Sequence, residues 1–252
     1  MRLGTTQIER QDPRDRKRWF AEPTLVTRIG RPVAATALPL LANVSLIGLE
    51  HLPPTGPFVL AANHVSALDS VILDALLPRY PYFMAKSELF EHPLTAWFLR
   101  QAGAFPVDRK GGDEWAIHHA LHILERGQVL GIYPEGTRSR NKGSDGPRLG
   151  RAKTGAVRIA LQQGVPIVPV AISGTDAFGK LLTRSMKHWH PLRPPLVSIR
   201  IGEPFDVVSR VTEQALSSET LRALTEELMS RIADMLPGRS EQQDKSGEWA
   251  QG

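Results

Sequence analysis

The chain has 252 residues, 41% of them hydrophobic, enough for one α/β domain with a substantial core plus appendages. It has no cysteine, which excludes disulfides, thiolate metal sites and a cysteine nucleophile. Its formal net charge of +5 favours an anionic partner; with 6% aromatic residues and no basic–aromatic interleaving, nucleic acid fits less well than phosphorylated metabolites or acidic lipid.

Residues 1–18 are charged and poor in apolar side chains, and read as a disordered basic N-terminus. Residues 19–42 set Trp19, Phe20, Leu25, Val26 and Ile29 near Arg16, Lys17, Arg18, Arg28 and Arg31. That pattern suits an amphipathic helix lying in a lipid headgroup layer, the alternative being a basic tail followed by a helix packed on the core. The most apolar stretch, Val33 to Gly48, is short and broken by Pro39, Asn43 and Ser45, so no transmembrane span or signal peptide is expected.

Residues 43–236 then alternate between strand and helix patterns. Ser45–Leu49 and Phe58–Ala62 are predicted strands, followed by a helix from Ala67 that stops before Pro78. Next come a strand at Tyr82–Ala85, a helix at Pro93–Ala102, a strand at Ala104–Val107 and a helix at Glu114–Arg126 closed by Gly127. A buried strand at Val129–Tyr133, a helix at Ala152–Gln163 and strands at Ile167–Ile172 and Leu196–Ile201 follow. Leu221, Leu224, Leu228, Ile232 and Met235 share one face of a helix over Ser218–Leu236, and residues 237–252 form a polar, mobile tail. The alternation predicts an α/β fold with a mostly parallel central sheet covered by helices, preceded by the amphipathic segment. In such sheets ligands collect at the carboxyl ends of strands, and both His64 and Glu135 fall just after predicted strands.

The most informative stretch is Asn63-His64-Val65-Ser66-Ala67-Leu68-Asp69. Inside a continuous helix, residues five apart point about 140° away from each other. His64 and Asp69 meet only if His64 lies in a loop and Asp69 on the first turn of a helix, with Ser66 as a capping residue. His64 then donates one ring N–H to Asp69 and keeps its other nitrogen for a substrate proton. The pair alone leaves two readings open: a base with its orienter, or a capping carboxylate beside a loop histidine.

Three later blocks bear on that choice: Gly103-Ala104-Phe105-Pro106-Val107-Asp108-Arg109, Tyr133-Pro134-Glu135-Gly136-Thr137-Arg138-Ser139, and Val165-Pro166-Ile167-Val168-Pro169-Val170. With the His64–Asp69 block, in this order and spacing, they resemble the four motifs of the glycerolipid acyltransferase family, whose best-known members are the 1-acyl-glycerol-3-phosphate acyltransferases. The resemblance spans about Leu46 to Phe205. It implies acyl transfer from a thioester, on coenzyme A or acyl carrier protein, to a lysophospholipid or glycerol phosphate hydroxyl, with no cofactor beyond the donor. It also implies acceptor binding at Arg109, Glu135, Gly136, Thr137 and Arg138. Guanidinium groups suit phosphate oxygens, and Gly136 permits close backbone approach. Lys86 and Lys153 are further candidates for phosphate contact, or else solvated lysines. The Val-Pro-Ile-Val-Pro-Val block, without acid–base side chains, reads as a packing strand with its prolines at its ends or at a bulge.

His118, His119 and His122 read as surface histidines on a helix, so no metal site is expected. The resemblance and the basic N-terminal segment together imply an anionic membrane surface as partner, with peripheral or monotopic attachment at the cytoplasmic face. An acyltransferase using another lyso-lipid or glycolipid hydroxyl is the alternative; a thioesterase has little need of Arg109, Glu135 and Arg138 together, and a non-enzymatic membrane adaptor has no need of the His64–Asp69 block.

Overall fold

The computed structural model describes residues 12–109, 112–137, 149–176, 194–211 and 217–237. The seven described strands are β1 (Asn43–Ile47), β2 (Phe58–Ala62), β3 (Pro81–Lys86), β4 (Phe105–Val107), β5 (Val129–Ile132), β6 (Ile167–Ser173) and β7 (Leu196–Ile201). They form one sheet in the order β1-β7-β6-β2-β5-β3-β4. Only the β6–β7 pairing is antiparallel, so β1 and β7 run opposite to the other five.

The central strands are apolar at almost every position because both faces of the sheet are covered. Side chains alternate with a period of two. Val59 and Ala61 of β2 enter one core with Leu130 and Ile132 of β5, while Phe58, Leu60 and Ala62 enter the other. The first core is roofed by α4 (Glu114–Glu125), α5 (Gly155–Gln163) and α6 (Ser218–Met235). The second is covered by α1 (Leu25–Leu41) and α2 (Asp69–Leu76), through Leu38, Ile72 and Leu73. A third helix on this side, α3 (Pro93–Gln101), links β3 to β4 and meets α1 where the Thr24 hydroxyl donates to the Gln101 carbonyl at 2.6 Å. Helix starts carry the expected caps: Thr24, Asp113 and Ser217 each accept a first-turn N–H.

Pro169 lies inside a strand with neighbours on both sides, yet removes no ladder bond. Its carbonyl accepts from Gly202 N at 2.9 Å, and Ile167 exchanges bonds with Phe205 at 3.0 and 2.6 Å. The partner chain therefore carries one extra residue, a bulge, opposite the position where the missing Pro169 N–H would point.

Several surface readings change. Trp19 packs against the first core, its ring edge-on to Trp115 at 5.3 Å and its Nε1 donating to the Arg14 carbonyl at 2.9 Å. It is drawn inward because Arg14, in the stretch predicted to be disordered, forks between Asp12 and Asp113 and holds residues 12–19 against α4. Leu25 and Ile29 do remain exposed on α1. His119 is no surface histidine: it stacks on Trp115 at 5.2 Å, edge-on to Phe105 at 4.7 Å, with Nε2 buried and unbonded. Burial, reinforced by His122, pushes its pKa down to about 4. No described helix is long and apolar enough to cross a membrane.

Candidate active site

Strands β2 and β5 are parallel neighbours, with Ala61 opposite Ile132, so the loops that follow them emerge side by side at the carboxyl edge of the sheet. The first loop holds His64 and leads into α2, which opens at Asp69 itself, two residues later than the predicted start at Ala67. Ser66 does not cap that helix in the expected way; its hydroxyl accepts only from Leu68 N at 3.3 Å. The reciprocal half of the capping box is present, because Asp69 accepts from Ser66 N at 2.9 Å.

Asp69 is fully buried, and its carboxylate gathers the loop around it. Oδ2 accepts from His64 Nδ1 at 2.8 Å, Val65 N at 2.7 Å and Ser66 N at 2.9 Å. Oδ1 accepts from the Thr175 hydroxyl at 2.6 Å. With Nδ1 turned to a carboxylate, the His64 tautomer is set with its proton on Nδ1 and Nε2 as the basic nitrogen. The imidazole is 13% exposed, enough to be reached from solvent.

Tyr133, the last residue before the second loop turns, stacks on the His64 ring at 4.1 Å with planes 19° apart. Phe83 stacks on its other face at 5.2 Å, and its hydroxyl pairs with Ser70 Oγ at 2.9 Å. Burial, together with the nearby Asp69 charge, holds the Tyr133 phenol well above its ordinary pKa, so it stays protonated. Glu135 is buried and ties three segments together: its carboxylate accepts from His64 N at 3.2 Å and from Gly150 N at 2.6 Å.

Beside this loop pair is a cavity of about 230 Å³. Met84, Val107, Ile117, Ile132 and Ile159 form its apolar floor; Arg109, Gly136, Lys153 and the start of α5 contribute to its rim. Asp108 and Asp113 also line it, Asp113 being held by Arg14 and the cap of α4. Gly136 adopts a left-handed φ of 66°, which an L side chain rarely accepts. Lys153 Nζ donates to the Arg109 carbonyl at 2.7 Å and fixes the rim.

Residues 43–173, more than half of the chain, match a family described as Acyltransferase. The chain belongs to the acyltransferase family. It is 34% identical to the 1-acyl-sn-glycerol-3-phosphate acyltransferase of Bacillus subtilis (strain 168) over 79% of this chain and 90% of that protein. It is 36% identical to 1-acyl-sn-glycerol-3-phosphate acyltransferase alpha of Homo sapiens over 54% of this chain, spanning 47% of the human protein. The fold is like that of the 1-acyl-sn-glycerophosphate acyltransferase of Thermotoga maritima, with a TM-score of 0.54 over 83% of this chain and 78% of that one, at 24% identity. The enzyme is thus an O-acyltransferase, and its dyad, glutamate loop and cavity sit at one edge of one sheet.

Among the predicted site residues, the structure brings His64, Asp69 and Glu135 into one hydrogen-bonded group and sets Arg109, Gly136 and Lys153 around the cavity. Thr137 is exposed and does not line it. Lys86 turns away into an ion pair with Glu88 at 2.9 Å. Arg138 lies outside the described residues. Thr175, Tyr133's stacking role and Asn63 escaped the sequence reading. Only Tyr133 carried a local signal, as the aromatic opening the Pro134-Glu135-Gly136 turn.

Proposed function

We propose that this enzyme moves an acyl group from an acyl thioester, on coenzyme A or acyl carrier protein, to the free hydroxyl of 1-acyl-sn-glycerol-3-phosphate, giving phosphatidate. The observation that carries the reading is the His64–Asp69 pair at 2.8 Å, with a buried carboxylate, a partly open ring and a cation-rimmed cavity beside it. His64 Nε2 takes the acceptor hydroxyl proton as that oxygen attacks the thioester carbonyl. Asp69 holds the ring and stabilises the imidazolium as it forms. The tetrahedral intermediate then expels the thiolate, which recovers the proton from His64. Arg109, Lys153 and the first turn of α5 supply positive charge for the acceptor phosphate. Metabolite pockets usually measure about 300–1,000 Å³. This cavity is smaller, and fits a polar head group while the acyl chains stay outside.

The chains then belong in a bilayer. Leu25, Ile29, Val33 and Leu40 are exposed on α1, and Leu94, Trp97 and Phe98 on α3, with Arg28 alongside. Leu40 lies just before β1, whose start shares a sheet edge with the His64 loop because β1 runs against β2. In this reading the two helices rest on the anionic cytoplasmic face of a membrane and the acceptor arrives laterally.

The test is release of free thiol from acyl-coenzyme A by the purified protein, with lysophosphatidate and other lyso-lipids as acceptors. Acyl carrier protein donors run in parallel, and product masses are recorded. Lysophosphatidate-dependent release with a phosphatidate product is expected, and His64→Ala abolishes it. Thiol release indifferent to acceptor points to a thioesterase; a product formed only with another acceptor moves the substrate.

A further inference from the structure

Strand β6 has no acid or base among its apolar side chains, yet its carboxyl end grips both residues that bracket the His64 loop. The Ile172 N–H donates to Asn63 Oδ1 at 2.7 Å, and the Ile172 carbonyl accepts from Asn63 Nδ2 at 2.9 Å. Just beyond the strand, the Thr175 hydroxyl donates to Asp69 Oδ1 at 2.6 Å, both residues being 0% exposed. The turn between them requires Gly174, whose φ is +83° and where a Cβ would collide with the Leu196 carbonyl. This turn bends the chain back under the catalytic loop.

We propose that Thr175 is a positioning residue for acyl transfer, acting on His64 through Asp69 without touching substrate. The asymmetry of the carboxylate is the reason. Oδ2 collects three donors from one loop, and Thr175 supplies a donor to Oδ1 from the opposite side. Without it, the carboxylate rotates so that both oxygens share the three loop donors, and the Oδ2–Nδ1 line that sets the ring is lost. The bond is short and charge-assisted, the strong class of hydrogen bond, and stands where water cannot replace it. The fourth sequence block therefore serves the chemistry through its end, delivering Thr175 and the Ile172 backbone.

This inference rests on His64 being the base, and the experiment separates the two claims. Thr175→Val keeps the shape and removes the hydroxyl; Thr175→Ser keeps the hydroxyl and removes a methyl. For Thr175→Val, kcat is expected to fall roughly ten- to hundred-fold, the scale of a lost hydrogen bond to a charged group. KM for donor and acceptor stays unchanged, and Thr175→Ser recovers most of the rate. Nitrogen-15 spectra of the His64 ring report its tautomer: protonated Nδ1 in the parent and the Ser variant, a mixture in the Val variant. A Thr175→Val enzyme with parental kcat overturns the proposal. So does a Thr175→Ser enzyme as impaired as Val, which would assign the effect to packing. Should the Val variant not fold, the Ser variant decides alone, by its rate and its tautomer. His64→Ala is measured beside them: its activity would remove the base itself, whereas its inactivity beside a fully active Thr175→Val removes only the role of Thr175.

Discussion

Asp69→Asn takes one charge out of the site and leaves its shape. The parent carboxylate is fully buried and accepts from His64 Nδ1, Val65 N, Ser66 N and Thr175 Oγ1 at 2.8, 2.7, 2.9 and 2.6 Å. An asparagine offers one acceptor oxygen and an amide nitrogen that only donates. Aiming that nitrogen at three N–H groups sets donor against donor, so the oxygen must take the Oδ2 place. Thr175, whose hydroxyl can donate or accept, reverses to accept from the amide. All four contacts survive, but as neutral bonds. Bonds to a charged group are worth about 1.5–3 kcal/mol and neutral ones about 0.5–1.5. Four conversions at about 1 kcal/mol each set an upper limit of about 4 kcal/mol on lost stability, and relief from burying a charge reduces it. That is below the ~5–15 kcal/mol that holds a typical domain together, so the variant folds. Catalysis fares worse: the neutral amide neither stabilises the imidazolium nor enforces the tautomer. Comparable substitutions in serine-protease triads cost about 10⁴ in kcat. The assay is lysophosphatidate-dependent thiol release at saturating donor and acceptor, with a melting curve on the same sample. A folded Asp69→Asn enzyme within about tenfold of the parent kcat would refute the orienter role.

Arg109→Ala is expected to raise KM for lysophosphatidate by roughly ten- to hundred-fold and KM for the acyl donor much less, with Arg109→Lys intermediate; an equal rise in both would indicate damage to the rim. Trp97→Ser with Phe98→Ser is expected to weaken sedimentation with anionic vesicles at low and high salt alike, since apolar burial is not screened; parental binding would detach α3 from the membrane. Substitution suits this test better than truncation, because removing α1 strips Leu38 from the core and Arg31 from the Asp74 and Leu77 carbonyls at the end of α2. His119→Phe tests the buried ring. With its folded pKa depressed to about 4, His119 contributes stability that is present above its unfolded value and lost as pH falls. The parent should therefore lose up to about 3 kcal/mol between about pH 6.5 and 4, and the variant should be spared that loss. Parallel stability curves over that window would contradict it.

Local patterns fixed much of this protein in advance. Phe58–Ala62 and Leu196–Ile201 are strands with the predicted boundaries, because apolar runs bounded by turn residues leave few other ways to satisfy their backbone. The dyad was legible for a similar reason: a five-residue spacing lets His64 and Asp69 meet only across a loop-to-helix junction, and they do. What arrives from far along the chain depended on the sheet. Thr175 reaches Asp69 across 106 residues, and Asn63 reaches Ile172 across 109, because β6 pairs with β2. Glu135 reaches His64 because β5 lies on the other side of β2. Trp19 and His119 turned inward for the same kind of reason: their partners, Trp115 and Phe105, belong to α4 and β4. A side chain's own neighbours in sequence set its backbone. Strand order decides which distant groups share its space, and that order is a property of the whole packed chain.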